Sequence, residues 1–401
     1  MKILTTVGSA VRNQVSSESA APIDPAALAP VLDPDGSGCM LPAEAYLDDA
    51  VLAWERTNLF AGAWACVGRS ADLSEIGSRR AVTVGDDAVL LVRGEDGRLR
   101  GFYNVCQHRA HELAPCGTTA HGRSIHCPYH GWRYGLDGSL LSTPRFDAPI
   151  GFERSQHALI PVAVEEWHGW MMVNASGDAP VLSAFFGGLE ERVADYEPER
   201  LVVGATHAYE LETNWKLIVE NYHECFHCPN IHPQLCSVSP PTSGENAVGH
   251  EGFWVGGWQD LMPHAVTMSL SGESPTVPLR GLRGVARRRI DYLGVLPNLL
   301  LSLHPDYVMT HRIEPLTPGR TAVECQWLFA PETVEQEGFD PAFAVDFWDV
   351  TNRQDWSACE GVQRGIASRG YRPGPFSTEE DAVAQFVRLV ARAYLSGGWS
   401  R

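Results

Sequence analysis

The sequence predicts an α+β protein with two unlike halves. Three observations carry this. Between about 66 and 165, short β-rich runs alternate with turn pairs such as Asp96-Gly97 and Asp137-Gly138. After 200, further β-like runs give way to two long helical patterns. No internal repeat interrupts either half.

In chain order, residues 1–38 are rich in Ala, Ser, Pro and Asp and read as a disordered or variable extension. Residues 42–64 space their apolar side chains as an amphipathic helix, so 39–65 is expected to be a helical segment packing on the C-terminal half. Residues 66–168 form the all-β unit, with a further turn at Asp86-Asp87. Residues 169–401 form the second unit. It opens with a strand at 201–212 and a helix near Trp215, capped by Thr213 or Asn214. Strands follow at 252–258, 296–303, 307–314 and 321–330, then helices at about 341–368 and 378–395.

Bulk composition narrows the function. A net charge of −18 disfavours nucleic acid. No run of eighteen apolar residues and no signal-like segment is visible, so no membrane partner is expected. Ten cysteines without a secretory signal point to a reducing compartment, the cytoplasm, where such residues serve as metal ligands or free thiols.

Two clusters carry the chemistry. In "CQHRAHELAPCGTTAHGRSIHCPYHGW", Cys106-x-His108 and Cys127-x-x-His130 stand eighteen residues apart. Two tight loops can bring two thiolates and two imidazoles to one [2Fe–2S] cluster, the Rieske arrangement. A Cys₂His₂ zinc site is the rival, but zinc modules usually pair like ligands and each pair is mixed. His111, His121, His126 and Cys116 lie off the pattern and read as surface or packing residues, while Pro128, Gly131 and Trp132 shape and shield the second loop.

The second cluster is "ENYHECFHCPNIHPQLC", 220–236. Glu224 and His227 share a face if the helix from Trp215 continues through them. His232 lies too far round a straight helix, and Pro229 is expected to break it and let His232 turn back. Two histidines and one carboxylate make the facial set of O₂-activating non-haem Fe(II). The carboxylate must come from elsewhere. On the helix "AVDFWDVTNRQDWSACEGVQRGIAS", Asp355 falls on the stripe 345, 348, 352, 355, 359, 362, 366. Asp349, off that stripe, is its competitor. Cys225, Cys228 and Cys236 read as packing thiols.

Together these residues resemble the α-subunits of Rieske non-haem iron oxygenases, from about 40 to 395. "NWKLIVENYHECFHCPNIHPQL" is similar to the active-site segment of the choline, carnitine and glycine betaine monooxygenase subgroup, and "WDVTNRQDWSACEGVQRGIASRGYRPGPFS" to a C-terminal segment in it. The resemblance implies an antiparallel helix-grip (START/Bet v1-like) catalytic domain and a homotrimer. It also implies electrons from NAD(P)H through a flavin/iron–sulfur reductase or a ferredoxin. It makes Asp355 the third ligand beside His227 and His232, and Glu224 an electron bridge to His130 of a neighbouring subunit. Asn221 is expected near the iron.

The expected activity is O₂-dependent hydroxylation of a small organic substrate, in one version an N-methylated or quaternary amine losing a methyl group as aldehyde. A ring-hydroxylating dioxygenase and a non-enzymatic Rieske electron carrier are the alternatives. Pocket candidates are Tyr222, Phe226, Phe253, Trp254 and Trp258, since ring faces hold cations but equally suit an aromatic substrate.

Overall fold

The structure, a computed structural model, describes residues 20–33, 38–247 and 251–399. Alternating apolar positions in the first half fold into a seven-stranded antiparallel sheet. Its spatial order is Ala65–Arg69, Trp170–Asn174, Pro161–Trp167, Leu99–Tyr103, Asp87–Arg93, Ser78–Val84, Thr119–His121. The sheet therefore runs past residue 168 to Asn174. Gly97 takes φ +77° in the turn after Asp96, a conformation that favours glycine. A small sheet of Ile125–His126, Arg133–Tyr134 and Leu140–Ser142 carries the second Cys/His loop at its edge.

The second half is also built on a seven-stranded antiparallel sheet. Its order is Val202–Leu211, Arg320–Phe329, Val308–Thr317, Leu299–Leu303, Arg289–Val295, Trp254–Asp260, Glu245–Asn246. Arg289–Val295 escaped the sequence reading; its start, "RRRIDY", is too charged to look like a strand. A register row Trp327–Met309–Ser302–Tyr292–Gly257 crosses five strands and puts these residues on one face. The same face grips the helix Ala342–Ile366: His311 Nε2 lies 3.2 Å from Asn352 Oδ1, and Tyr209 donates to Asp349 Oδ1 at 2.7 Å.

Three helical expectations need correction. The 42–64 helix breaks at Asp48, whose carboxylate caps a new start by accepting from Ala50 N at 2.7 Å. It ends in a π-turn, Arg56–Phe60. The helix at Trp215, capped by Asn214, stops at Tyr222 and does not reach His227. Part of the expected extension is folded: Asp24 caps the helix Pro25–Leu32, which buries Leu28 and Val31 against the helix Asp381–Ser396. Residues 1–19 and 34–37 of that extension lie outside the described residues.

One buried carboxylate ties three helices together. Glu55 pairs with Lys216 Nζ at 2.6 Å and accepts from Trp215 Nε1 at 2.8 Å and from Tyr394 OH. Burial opposes the charge on Lys216, and Glu55 opposes that effect. The pair holds the helix that leads into the second cluster. Among the described residues no helix is long and apolar enough to cross a membrane.

Candidate active site: two ligand clusters and a cavity

The two Cys/His loops repeat one backbone plan. Cys106 N–H donates to His111 C=O at 2.9 Å, and Cys127 N–H to Trp132 C=O at 2.8 Å. Ala110 N–H and Gly131 N–H return to the two cysteine carbonyls at 3.0 and 3.1 Å. Both returning residues have positive φ, +54° and +73°. The loops therefore face each other as a pair. His108 and His130 lie with ring centroids 4.5 Å apart. Both cysteines are buried and their side chains interact, and Tyr134 OH stands 3.2 Å from Cys106 Sγ.

These loops fit an iron–sulfur cluster. Burial pushes the Cys106 thiol up, so a thiolate there needs a cation beside it. His108 Nδ1 is buried with no hydrogen-bond partner, as an atom reserved for a metal would be. Trp132 stacks on His108 at 4.7 Å and shields it. His111, His121, His126 and Cys116 lie exposed beside the loops.

In the second cluster, the chain leaves the helix at His223, and Glu224–His227 form a turn. Glu224 Oε2 accepts from His227 N–H at 3.1 Å, and its other oxygen meets His227 Nδ1. Pro229 does not break a helix; it starts the short helix Cys228–Ile231, after which His232 folds back. His227 Nε2 and His232 Nε2 stand 3.1 Å apart, and Asp355 Oδ1 is 3.3 and 2.8 Å from them. Cis ligands at about 2.1 Å from an octahedral ion stand about 3.0 Å apart, so this triangle fits one facial metal position. The carboxylates draw positive charge to it. Burial lowers the His227 pKa, but Asp355 and Glu224 outweigh this and raise it to about 9. Asp349 is engaged with Tyr209 and Arg353, away from the triangle.

Cys225 and Cys228 are not separate packing thiols. The turn brings their Cα atoms to 4.9 Å and the structure joins them as a disulfide. Cys228 Sγ lies 3.9 Å from His227 Nε2, but its sulfur is spent in that bond. Gln354 had no role in the sequence reading, yet its Oε1 lies 2.7 Å from His232 Nδ1.

A cavity of about 570 Å³ opens beside the triangle, lined in part by Asn221, Tyr222, Phe226, Tyr292, Trp348 and Asp355. Tyr222 and Tyr292 meet at 5.9 Å and 80°, Tyr292 and Trp348 at 6.3 Å and 70°, so three rings form walls at steep angles. The charged run RRRIDY hides the strand that carries Tyr292, and helical periodicity places Trp348 only on the buried stripe. Exposed Glu245, Glu379 and Asp381 also line the cavity and make its mouth acidic. Phe253 and Trp254 do not line it. Phe253 packs on Phe185 at 4.8 Å, and Trp254 lies under Arg192. Trp258 lines the cavity, but the Arg289 guanidinium sits 3.4 Å from its ring centre and already occupies a face. Phe226 is 55% exposed. His223, buried with both ring nitrogens unpartnered, rests in a gap left by Gly256 and Gly294.

Paired Cys/His loops on an all-β unit, with a two-histidine, one-carboxylate triangle under a gripped helix, define a terminal oxygenase of the Rieske type. The chain belongs to the Rieske non-haem iron oxygenase α-subunits: residues 63–162 match the Rieske [2Fe-2S] domain, and 198–396 the ring hydroxylating alpha subunit catalytic domain. More particularly, it is similar to the glycine betaine monooxygenase oxygenase subunit of Chromohalobacter salexigens, 31% identical over 89% of this chain and 86% of that one. The carnitine monooxygenase oxygenase subunit of Escherichia coli K12 is 28% identical over 88% and 93%. The crystal structure of the quaternary ammonium Rieske monooxygenase CntA with L-carnitine superposes with TM-score 0.75 at 26% identity, over 91% of this chain and 98% of that one. The protein is thus an oxidoreductase that incorporates O₂, with a Rieske cluster, a mononuclear iron and electrons from NAD(P)H through a reductase. The non-enzymatic carrier reading does not hold.

Proposed function

We propose that the protein is a monooxygenase of a small quaternary or N-methylated amine. The observation that carries this is the cavity: three steeply angled aromatic rings beside the triangle, behind an acidic mouth. A trimethylammonium group is held by ring faces and drawn by acidic charge, while a neutral aromatic has no use for the mouth. The relatives' named substrates point the same way.

In this reading Cys106, His108, Cys127 and His130 hold the cluster, and His227, His232 and Asp355 hold the iron. When bound, the two centres supply stored electrons and activated O₂. Tyr222, Tyr292 and Trp348 bind the cation and aim one N-methyl group at the triangle, with Asn221 at its edge. Hydroxylation of that carbon gives a carbinolamine that collapses to the demethylated amine and an aldehyde. Glu224 orients His227 through Nδ1 and provides the polar route for electrons. Among the described residues its hydrogen bonds go to His227, which leaves a neighbouring copy's His130 as its second partner. The working form is then a homotrimer, with exposed Phe226 and Tyr129 covered at the interface, and it works in the cytoplasm beside its reductase.

The test is O₂ uptake with a surrogate reductase on glycine betaine, carnitine, choline, naphthalene and indole. Uptake coupled to aldehyde release from the trimethylammonium compounds, with one labelled oxygen incorporated, is expected. Uptake coupled only to the aromatics overturns the reading.

A further inference from the structure

The two histidines of the triangle are braced differently. The Nδ1 of His227 meets the Glu224 carboxylate, whereas the Nδ1 of His232 meets the side-chain oxygen of Gln354 at 2.7 Å. His232 is 1% exposed, so no water can replace that partner at low cost. Gln354 sits one residue before Asp355 on the helix Ala342–Ile366. One helix turn thus delivers both a ligand and the brace of another ligand. An amide oxygen only accepts, so the proton of neutral His232 stays on Nδ1 and the Nε2 lone pair faces Asp355 and His227.

The choice of an amide over a carboxylate has a charge consequence. Asp355 and Glu224 already place two negative charges around a divalent ion, which cancels it. A glutamate at 354 would leave the buried site with a net negative charge and make His232 a stronger donor.

We propose that Gln354 is a positioning residue that holds His232 in its metal-binding tautomer and keeps the iron site electrically neutral. This rests on the assignment of His227, His232 and Asp355 as the iron ligands.

The test measures Fe(II) affinity of the full-length protein by competition with a chromophoric chelator, with the cluster's visible spectrum as an internal control of folding. Gln354→Met keeps the shape and removes the acceptor; Gln354→Glu keeps an acceptor and adds charge. Gln354→Met is expected to weaken Fe(II) binding by about 10–100-fold with the cluster spectrum unchanged. Gln354→Glu is expected to bind at least as tightly as wild type and to change the electron paramagnetic resonance signal of the Fe(II)–nitric oxide adduct. Wild-type affinity in Gln354→Met overturns the proposal, as does equal loss in both variants, which would mean shape alone matters. Should Gln354→Met not fold, Gln354→Glu decides: weaker binding or an unchanged adduct signal overturns it. A wild-type protein that binds no iron beyond the cluster sinks the ligand assignment instead, so the two failures are distinct.

Discussion

At the scale of the residue, the two clusters are separable. His227→Ala or Asp355→Ala should lower iron from about three to about two per chain while the cluster's absorbance stays intact, because the proposed cluster ligands lie on other loops. Iron analysis beside the visible spectrum checks this. Glu224 is proposed to have a different task. Glu224→Gln should leave both metals in place and abolish turnover; single-turnover oxidation of the reduced cluster reads the lost transfer directly. A variant that keeps wild-type turnover would remove the bridge.

At the scale of the element, the cavity depends on what the sheet omits. A Cβ on Gly294 would stand 2.2 Å from His223 Nε2, so this strand must be bare where the ring of His223 lies over it. Gly294→Ala should destabilise the protein by about 1–3 kcal/mol, read as a lower midpoint in urea. The aromatic walls are the second prediction at this scale. Tyr292→Leu should raise KM for a trimethylammonium substrate by about 2–30-fold, the equivalent of about 0.5–2 kcal/mol, with a smaller effect on kcat. Steady-state kinetics of the purified variant settle it. These strands were only partly legible in the sequence. The alternating runs at Val308–Thr317 and Arg320–Phe329 announce themselves, but Arg289–Val295 does not, since its Arg289 and Asp291 face other side chains that compensate them: Asp260 and Arg192. A pattern reading cannot see partners that are distant in the chain.

At the scale of the whole molecule, buried charge makes stability depend on pH. Glu220, in the helix that leads into the iron segment, is raised from 4.5 to about 7 by burial, against the opposing effects of the Tyr46 hydrogen bond and Lys216. A folded-state pKa above the unfolded one means the native protein holds the proton more tightly. The group's contribution to stability is then full below about pH 4.5, falls as pH rises, and is lost above about 7. Glu220→Gln should therefore gain on wild type by about 3 kcal/mol between pH 4.5 and 8, with the difference level outside that window. Denaturant midpoints of both proteins across pH measure it; a difference that does not vary with pH rules the burial effect out.

By itself the sequence determined the class of chemistry. Ligand type and close spacing are local properties, so Cys106, His108, Cys127, His130, His227 and His232 could be picked out as candidate ligands without knowing any long-range contact. Asp355 was half legible: helical periodicity placed it on a buried stripe, but only folding brought it within 2.8 Å of His232 and spent Asp349 elsewhere. Tertiary structure alone decided the rest. It chose Tyr292 and Trp348 over Phe253 and Trp254 for the cavity, closed the Cys225–Cys228 bond, and set Gln354 behind His232. Each of these depends on where two distant segments meet, and that meeting is fixed by the packing of the sheet on its helix rather than by any residue's own neighbours in the chain.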